Sequence, residues 1–105
     1  MTTIYVAIGN SDNRLTQQQW SGYHDAVDTS IRERVSHYNE TIYGAWVSPS
    51  AAPFQNACWA FSLPPENRVA REALRDRLRI LAAAFRQDSI AWSEAEVEFL
   101  PGRAS

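Results

Sequence analysis

The sequence contains no lysine and only one cysteine, and the single cysteine excludes two classes of site. All ten basic residues are arginine. With Cys58 as the only cysteine, the chain cannot form an internal disulfide or a cysteine-based zinc site. No basic residue stands next to Cys58 to lower the pKa of its thiol. We therefore expect Cys58 to be a small buried residue of a strand.

Long hydrophobic runs are also missing. No apolar segment approaches the roughly 20 residues that a membrane helix requires. The N-terminal segment MTTIYVAIG lacks the charged region and cleavage site of a signal peptide. A net charge of −2 gives no electrostatic reason to expect binding to nucleic acid. These features predict a cytoplasmic protein with no membrane or nucleic-acid partner.

What the sequence does contain is typical of one folded domain. Hydrophobic residues make up 45% of the 105 residues and aromatic residues 11%. A chain of this length buries a single modest core. We predict one α+β domain over residues 1–100, followed by a C-terminal tail over 101–105.

The pattern of apolar residues predicts the order β-α-β-β-α-β. Thr16 and Gln19 have the spacing of a capping box at the start of the first helix. The predicted elements are strands at 3–8, 42–47 and 57–63, helices at 16–36 and 66–86, and a fourth strand from Ser89 that continues, through a bulge near Ser93, to Leu100. The simplest fold with this order is a ferredoxin-like sandwich, a four-stranded antiparallel sheet with both helices on one face.

This topology brings three polar segments to one end of the sheet. They follow strand one, join strands two and three, and follow helix two. The candidate ligand-binding residues in them are Asn10, Ser11, Asp12, Gln55, Asn56, Gln87, Asp88 and Ser89.

Two interpretations of this polar rim stay open. Asp12 and Asp88 would serve as a carboxylate pair for acid–base chemistry or for a hard cation, with the nearby amides holding a small polar ligand. Alternatively, all three segments are turns whose side chains cap backbone groups. No phosphate loop or nucleophile motif is present. His24 and His37 are not spaced for a metal. We assign no catalytic residue, metal or cofactor.

The second face of the sheet lacks charge. Alternation places Trp46 and Trp59 on the helix side, and Tyr5, Tyr43 and Val47 on the open side. An uncharged, aromatic open face predicts that another molecule packs on it and covers it. A second copy of the chain is the favoured one, and a ligand between two sheets is an alternative. The RNA recognition module stacks bases on such a face, but the basic aromatic motif of that module is missing here.

Arginines follow one stripe of the second helix. Arg68, Arg71, Arg75 and Arg79 lie at helical spacing, on the side away from an apolar face that includes Val69 and Ile80. Such a stripe is either a solvated helix back with ion pairs or a docking surface for phosphate or an acidic protein partner.

Three blocks of the sequence resemble small proteins of unknown function from actinobacterial phages and their hosts. The blocks are IYVAIGNSDNRLTQQQW at 4–20, QNACWAF at 55–61 and RQDSIAWSEAEVEFL at 86–100. The resemblance implies a small accessory protein that a phage expresses in the host cytoplasm to act on the host or its defences. It transfers no activity and no site residue.

Two hypotheses about function follow. The first is a non-enzymatic homodimeric module that binds a host protein or a small ligand. The second is a small enzyme or ligand-binding protein built on Asp12, Asp88 and the neighbouring amides.

Overall fold

The computed structural model confirms the predicted α+β ferredoxin-like fold. It describes residues 1–10, 12–49, 51–52 and 54–104. The elements are β1 (Thr2–Gly9), α1 (Gln17–His37), β2 (Ile42–Val47), β3 (Asn56–Phe61), α2 (Arg68–Ala84) and β4 (Ala91–Glu96). The strands form one sheet in the order β2-β3-β1-β4, and every neighbouring pair is antiparallel.

The fourth strand is shorter than predicted. It begins at Ala91 rather than Ser89 and ends at Glu96 rather than Leu100. Its register against β1 is unbroken from Ala91 to Glu96, so the predicted bulge near Ser93 is wrong. The polar residues 87–89 belong to the preceding corner.

Helix α1 begins as its sequence predicts. The Thr16 side chain accepts a hydrogen bond from the Gln19 amide, and the Gln19 side chain accepts one from the Thr16 amide. This capping box satisfies two backbone donors that a helix start otherwise leaves free. The buried stripe of the helix is Trp20, Tyr23, Val27, Ile31 and Val35.

Helix α2 buries a narrower stripe than its apolar residues predict. The buried residues are Ala70, Leu74, Leu78, Leu81 and Ala82. Val69 and Ile80 are 76% and 59% exposed, which corrects their predicted place on the core face. At about 100° per residue, both lie more than 100° from Leu74 around the helix, on its solvent side.

The core lies between the helices and one face of the sheet. Ile4, Val6 and Ile8 of β1 pack there beside Trp59 and Phe61 of β3. Trp59 is fully buried, and its indole N–H donates to the Asp28 carboxylate on α1 at 2.9 Å. This bond satisfies a donor that would otherwise be costly to bury.

An irregularity in β2 changes which residues face the core. The pairing with β3 shifts between Ile42 and Gly44, so that Trp46 lies opposite Cys58 and Val47 lies opposite Ala57. Because one extra residue reverses the alternation of the residues that follow, Trp46 belongs to the open face and Val47 to the helix side. The predicted positions of both are therefore wrong.

In the described part of the chain, neither helix has the length and apolar character required of a membrane-crossing segment.

One buried group on α1 has no partner among the described residues. Tyr23 is 1% exposed and its ring stacks on Phe85 at 5.0 Å, yet its hydroxyl makes no hydrogen bond. Burial raises the pKa of the Tyr23 phenol from 10.0 to about 12. The folded protein thus holds this proton more tightly than the unfolded chain does. The stability linked to it is complete below pH 10 and is lost as the pH rises through 12.

We predict that Tyr23→Phe keeps or raises the free energy of unfolding at pH 7, by up to about 1 kcal/mol, because it removes an unpaired hydroxyl. The variant should also lose less stability between pH 10 and 12. Urea unfolding at a series of pH values measures both effects, with Tyr38→Phe as the control. A loss of more than about 1 kcal/mol at pH 7 would show that the hydroxyl has a partner.

Candidate functional site

The polar rim brings together the end of β1 and the β2–β3 loop. The Asn10 backbone N–H donates to the Gln55 carbonyl at 2.9 Å, and the Asn10 side chain donates to the Gln55 side chain at 3.0 Å. Asn10 is 4% exposed. Its side chain also accepts from the Leu15 amide and donates to the Leu15 carbonyl, both at 3.0 Å. Asn10 thus closes the turn that leads into α1.

Gln55 completes this network on the side of α1. Its side-chain oxygen accepts from the Gln17 amide nitrogen at 3.1 Å, and its own nitrogen donates to the Gln17 oxygen at 2.6 Å. The amides of Asn10, Gln17 and Gln55 therefore bind one another. Gln17 was not among the predicted rim residues. It is the first residue of α1, and the predicted topology places the start of that helix beside the β2–β3 loop, so this contact could have been anticipated.

Asp12 and Asp88 lie on either side of a cation that the sequence analysis missed. The Arg14 Nε lies 3.2 Å from an Asp12 oxygen, and its terminal nitrogen donates to Asp88 at 3.1 Å. The hydrogen bond and charge of Asp88, with the charge of Asp12, raise the pKa of Arg14 above its usual value. Each carboxylate thus has the same cationic partner.

Arg14 also ties the β1–α1 turn to the corner after α2. It donates to the Arg86 carbonyl at 3.1 Å, and Arg86 in return donates to the Arg14 carbonyl at 2.7 Å. A signal for this contact was present in the sequence, because Arg14 is the first cation after the polar turn that follows β1.

The remaining predicted rim residues bond to nearby backbone or face solvent. Asn56 and Gln87 donate to the carbonyls of Phe54 and Phe85, each two residues earlier in the chain. Ser89 lines a groove of about 350 Å³ between α2 and β4, together with Asp88 and Trp92. Ser11 lies outside the described residues.

The rim therefore joins three turns through mutual hydrogen bonds and one shared arginine. Asp88 is 84% exposed in its side chain, and the Asp12 carboxylate also accepts from the Arg14 amide. Among residues 1–10, 12–49, 51–52 and 54–104, no group of three histidine, cysteine or acidic side chains is placed to hold a metal. The described geometry supports a structural role for these side chains more directly than acid–base chemistry.

The open face of the sheet carries no charged side chain on its described strands. Three aromatic residues, Tyr5, Tyr43 and Trp46, are 39%, 45% and 57% exposed on it. The Tyr43 hydroxyl reaches across the face to the Met1 sulfur at 3.6 Å. Smaller residues of this face include Thr3, Ala7, Cys58, Ala60, Ala91, Ser93 and Ala95, of which Thr3 and Ala60 are only 3% exposed. Cys58 is half-buried, and burial raises the pKa of its thiol.

Large and small residues are segregated across this face. One row across the four strands contains Trp46, Cys58, Ala7 and Ala91. The next row contains Gly44 beside Tyr43, then Ala60, Tyr5 and Ser93. The β2 edge thus carries bulky aromatic residues and the β4 edge carries small ones. Gly44 has no side chain, and a Cβ there would lie 3.1 Å from the Trp46 ring.

The arginine stripe of α2 mostly contacts its own chain. Arg71 pairs with Glu94 of β4 at 3.3 Å. The Arg75 guanidinium lies 5.3 Å from the centre of the Trp92 ring, a cation–π distance. Arg79 pairs with Asp76 at 2.6 Å. Arg68 is exposed at the start of the helix. The stripe therefore fastens α2 to β4, and only part of it is presented to solvent.

Comparison with solved structures finds distant similarity in fold. No protein-family model matches the sequence. No curated protein matches it. A crystal structure of an uncharacterized NIPSNAP domain protein from Burkholderia xenovorans aligns with a TM-score of 0.48 and 11% identity, over 97% of this chain and 100% of that one. A similarity of this size carries no functional information.

We predict that Asn10→Ala lowers the free energy of unfolding by about 1–3 kcal/mol, because it leaves buried polar groups of Leu15 unpaired. Asn56→Ala is the matched control, since the Asn56 side chain is exposed and makes one bond of 3.5 Å. Its cost should stay below about 0.5 kcal/mol. Urea unfolding at one protein concentration compares the two. Equal costs would mean that the Asn10 network does not hold the turn.

Proposed function

We propose that the protein is a non-enzymatic binding module that works as a homodimer, in which two copies pack open face against open face. The observation that carries the proposal is the uncharged face with Tyr5, Tyr43 and Trp46 exposed on it. The solvated side of an antiparallel sheet is normally polar. An apolar patch of this kind on a soluble protein marks an interaction surface.

The distribution of residue sizes supports a second copy as the cover. Consider a two-fold axis that lies between the sheets and runs parallel to the strands. It places β2 of one copy over β4 of the other and keeps each row opposite itself. Trp46 then faces the partner's Ala91, Tyr43 faces the partner's Ser93, and Tyr5 faces the partner's Ala60. Each bulky residue meets a small one, which is the condition for dense packing between two sheets.

The other two-fold axis within the plane of the sheets fits less well. An axis across the strands places β2 over β2 and β4 over β4. Aromatic residues would then collide at one edge, and alanines and serines would face each other at the opposite edge. An interface with such a gap loses packing and leaves room for water.

The state of the polar rim supports the absence of enzymatic activity. The Asp12 and Asp88 carboxylates both pair with Arg14, and the amides of Asn10, Gln17 and Gln55 bind one another. A ligand at this rim would first have to displace those contacts. A small polar ligand that bound at the rim would lie in the groove beside Asp88 and Ser89.

The outer surface of α2 stays free in the proposed dimer. Val69 and Ile80 are exposed there, and Arg68 lies beside Val69. On the strength of the resemblance to phage and host proteins, this is the surface through which the dimer would bind a protein of a bacterial host.

We predict that Trp46→Glu dissociates the dimer, because it would bury an unpaired carboxylate in an apolar interface. Val47→Glu is the matched control, since Val47 is the next residue, is 55% exposed and faces the helix side. Size-exclusion chromatography with light scattering gives the mass of each. A monomeric parent protein, or a dimer that survives Trp46→Glu, would refute the proposal.

A second pair of variants tests the axis. Ala91→Trp should weaken the dimer, because two indole rings would meet where one ring and a methyl group fit. Adding Trp46→Ala should restore association, since large and small residues are then exchanged across the same contact. If the double variant is weaker than both single variants, the strand-parallel axis is wrong.

A further inference from the structure

The outer side of the helical layer carries a groove that runs along α2, here called the outer groove. One part of it, a hollow of about 520 Å³, lies between the two helices. The other part, of about 460 Å³, lies on the outer face of α2. Ala73 and Asp76 line both parts, so the two adjoin. The outer groove thus follows α2 from Arg68 to Ile80, a rise of about 18 Å along the helix axis.

One stripe of α2 along the outer groove is mostly apolar. Val69 and Ile80 are 76% and 59% exposed, and Ala73 lies between them. Together with Asp76 these residues fall within about 60° of arc around the helix. Their steps of four, three and four residues are the spacing of the contact positions of a coiled coil. Such a stripe fits a second helix laid along it, the mode in which amphipathic helices bind grooves.

Three arginines line the outer groove without an acidic partner. They are Arg34 on α1 and Arg68 and Arg77 on α2, and none of them forms an ion pair with a described residue. Arg34 lies in the last turn of α1, where the helix dipole favours a cation. Arg68 is the first residue of α2, where the dipole opposes one. The stability of the helices therefore does not account for the whole set.

The acidic residues of the outer groove are mostly paired already. Glu72 pairs with the arginine three positions later on α2 at 3.8 Å, and Asp76 does the same at 2.6 Å. Glu33 is the remaining acid of the lining. The unpaired charge along the outer groove is therefore mainly positive, although the whole chain has a net charge of −2. A partner with complementary charge would be acidic.

We propose that the outer groove binds an acidic amphipathic helix of a partner protein. The apolar face of that helix packs on Val69 and Ile80, and its carboxylates pair with the three arginines. The inference rests on the proposed function, in which this surface binds a host protein, and it supplies the chemistry of that partner. A nucleic acid would use the arginines through its phosphates but would leave the apolar stripe uncovered.

Two synthetic peptides serve as probes of the outer groove. One carries leucine at heptad spacing with glutamate on both flanks, and the other carries the same leucines with lysine in place of glutamate. A length of about 20 residues allows each peptide to be partly helical in isolation. The acidic peptide should bind at least about 10-fold more tightly than the basic one, since like charges repel across an interface. Added salt should weaken its binding. Fluorescence anisotropy measures both affinities.

Variants of the groove residues locate the contact. Arg34→Gln and Arg77→Gln should each weaken binding of the acidic peptide about 2- to 5-fold, as for an exposed ion pair. Arg32→Gln is the matched control, because Arg32 pairs with Asp28 and lies about 160° from Arg34 around α1. Ile80→Ser should weaken binding about 10-fold. Circular dichroism checks that this change of an exposed residue leaves the domain folded.

Several outcomes would overturn the inference. Equal binding of the two peptides would do so, and so would an affinity that Ile80→Ser leaves unchanged. Tighter binding of an oligonucleotide to the same arginines would assign the surface to nucleic acid instead. A parent assembly whose mass falls in Ile80→Ser would show that a second copy occupies the outer groove.

Trp46→Glu separates this inference from the dimer. Position 46 lies on the sheet face away from the helices, so the variant should bind the acidic peptide as the parent protein does. A monomeric parent that binds the acidic peptide overturns the dimer alone. A dimeric parent that binds neither peptide overturns the outer groove alone.

Discussion

The constraint on which the molecule depends is that two helices cover only one face of a four-stranded sheet. On the covered face, Trp59 is buried completely and its indole N–H is satisfied by Asp28. On the other face there is no layer, yet the residues are as free of charge as those of a core. The same strands thus build two apolar surfaces, and the fold as a single copy buries one of them. This imbalance is the physical basis of the proposed assembly.

The polar rim shows that convergence of polar residues is not the same as a reactive site. The polar side chains at this end form hydrogen bonds that connect the β1–α1 turn with the β2–β3 loop and with the corner after α2. Arg14 has the central place, because it contacts two carboxylates and the backbone of Arg86. Its charge turns a potential carboxylate pair into two ion pairs. The rim therefore fixes the ends of the elements on which the open face is built.

The fold could be predicted because the periodicity of the apolar residues is clear. The predictions were wrong where the position of a side chain depends on a single register shift or on the rotation of a helix. The order of elements and the capping box of Thr16 follow from local patterns, and both are confirmed. The face of Trp46 depends on a register shift near Gly44, which alternation alone cannot reveal. The exposure of Val69 and Ile80 depends on how α2 is rotated against the sheet. Arg14 was missed because an arginine in a turn has no distinctive local pattern.

Positions 44 and 46 of β2 both lie on the open face of the sheet. The Trp46 ring lies over the place where a side chain at position 44 would stand, at 3.1 Å from a Cβ there. A side chain at position 44 would therefore require the indole to shift by a few tenths of an ångström. In related sequences, positions 44 and 46 should accordingly vary as a pair, with an indole at 46 found where 44 is glycine.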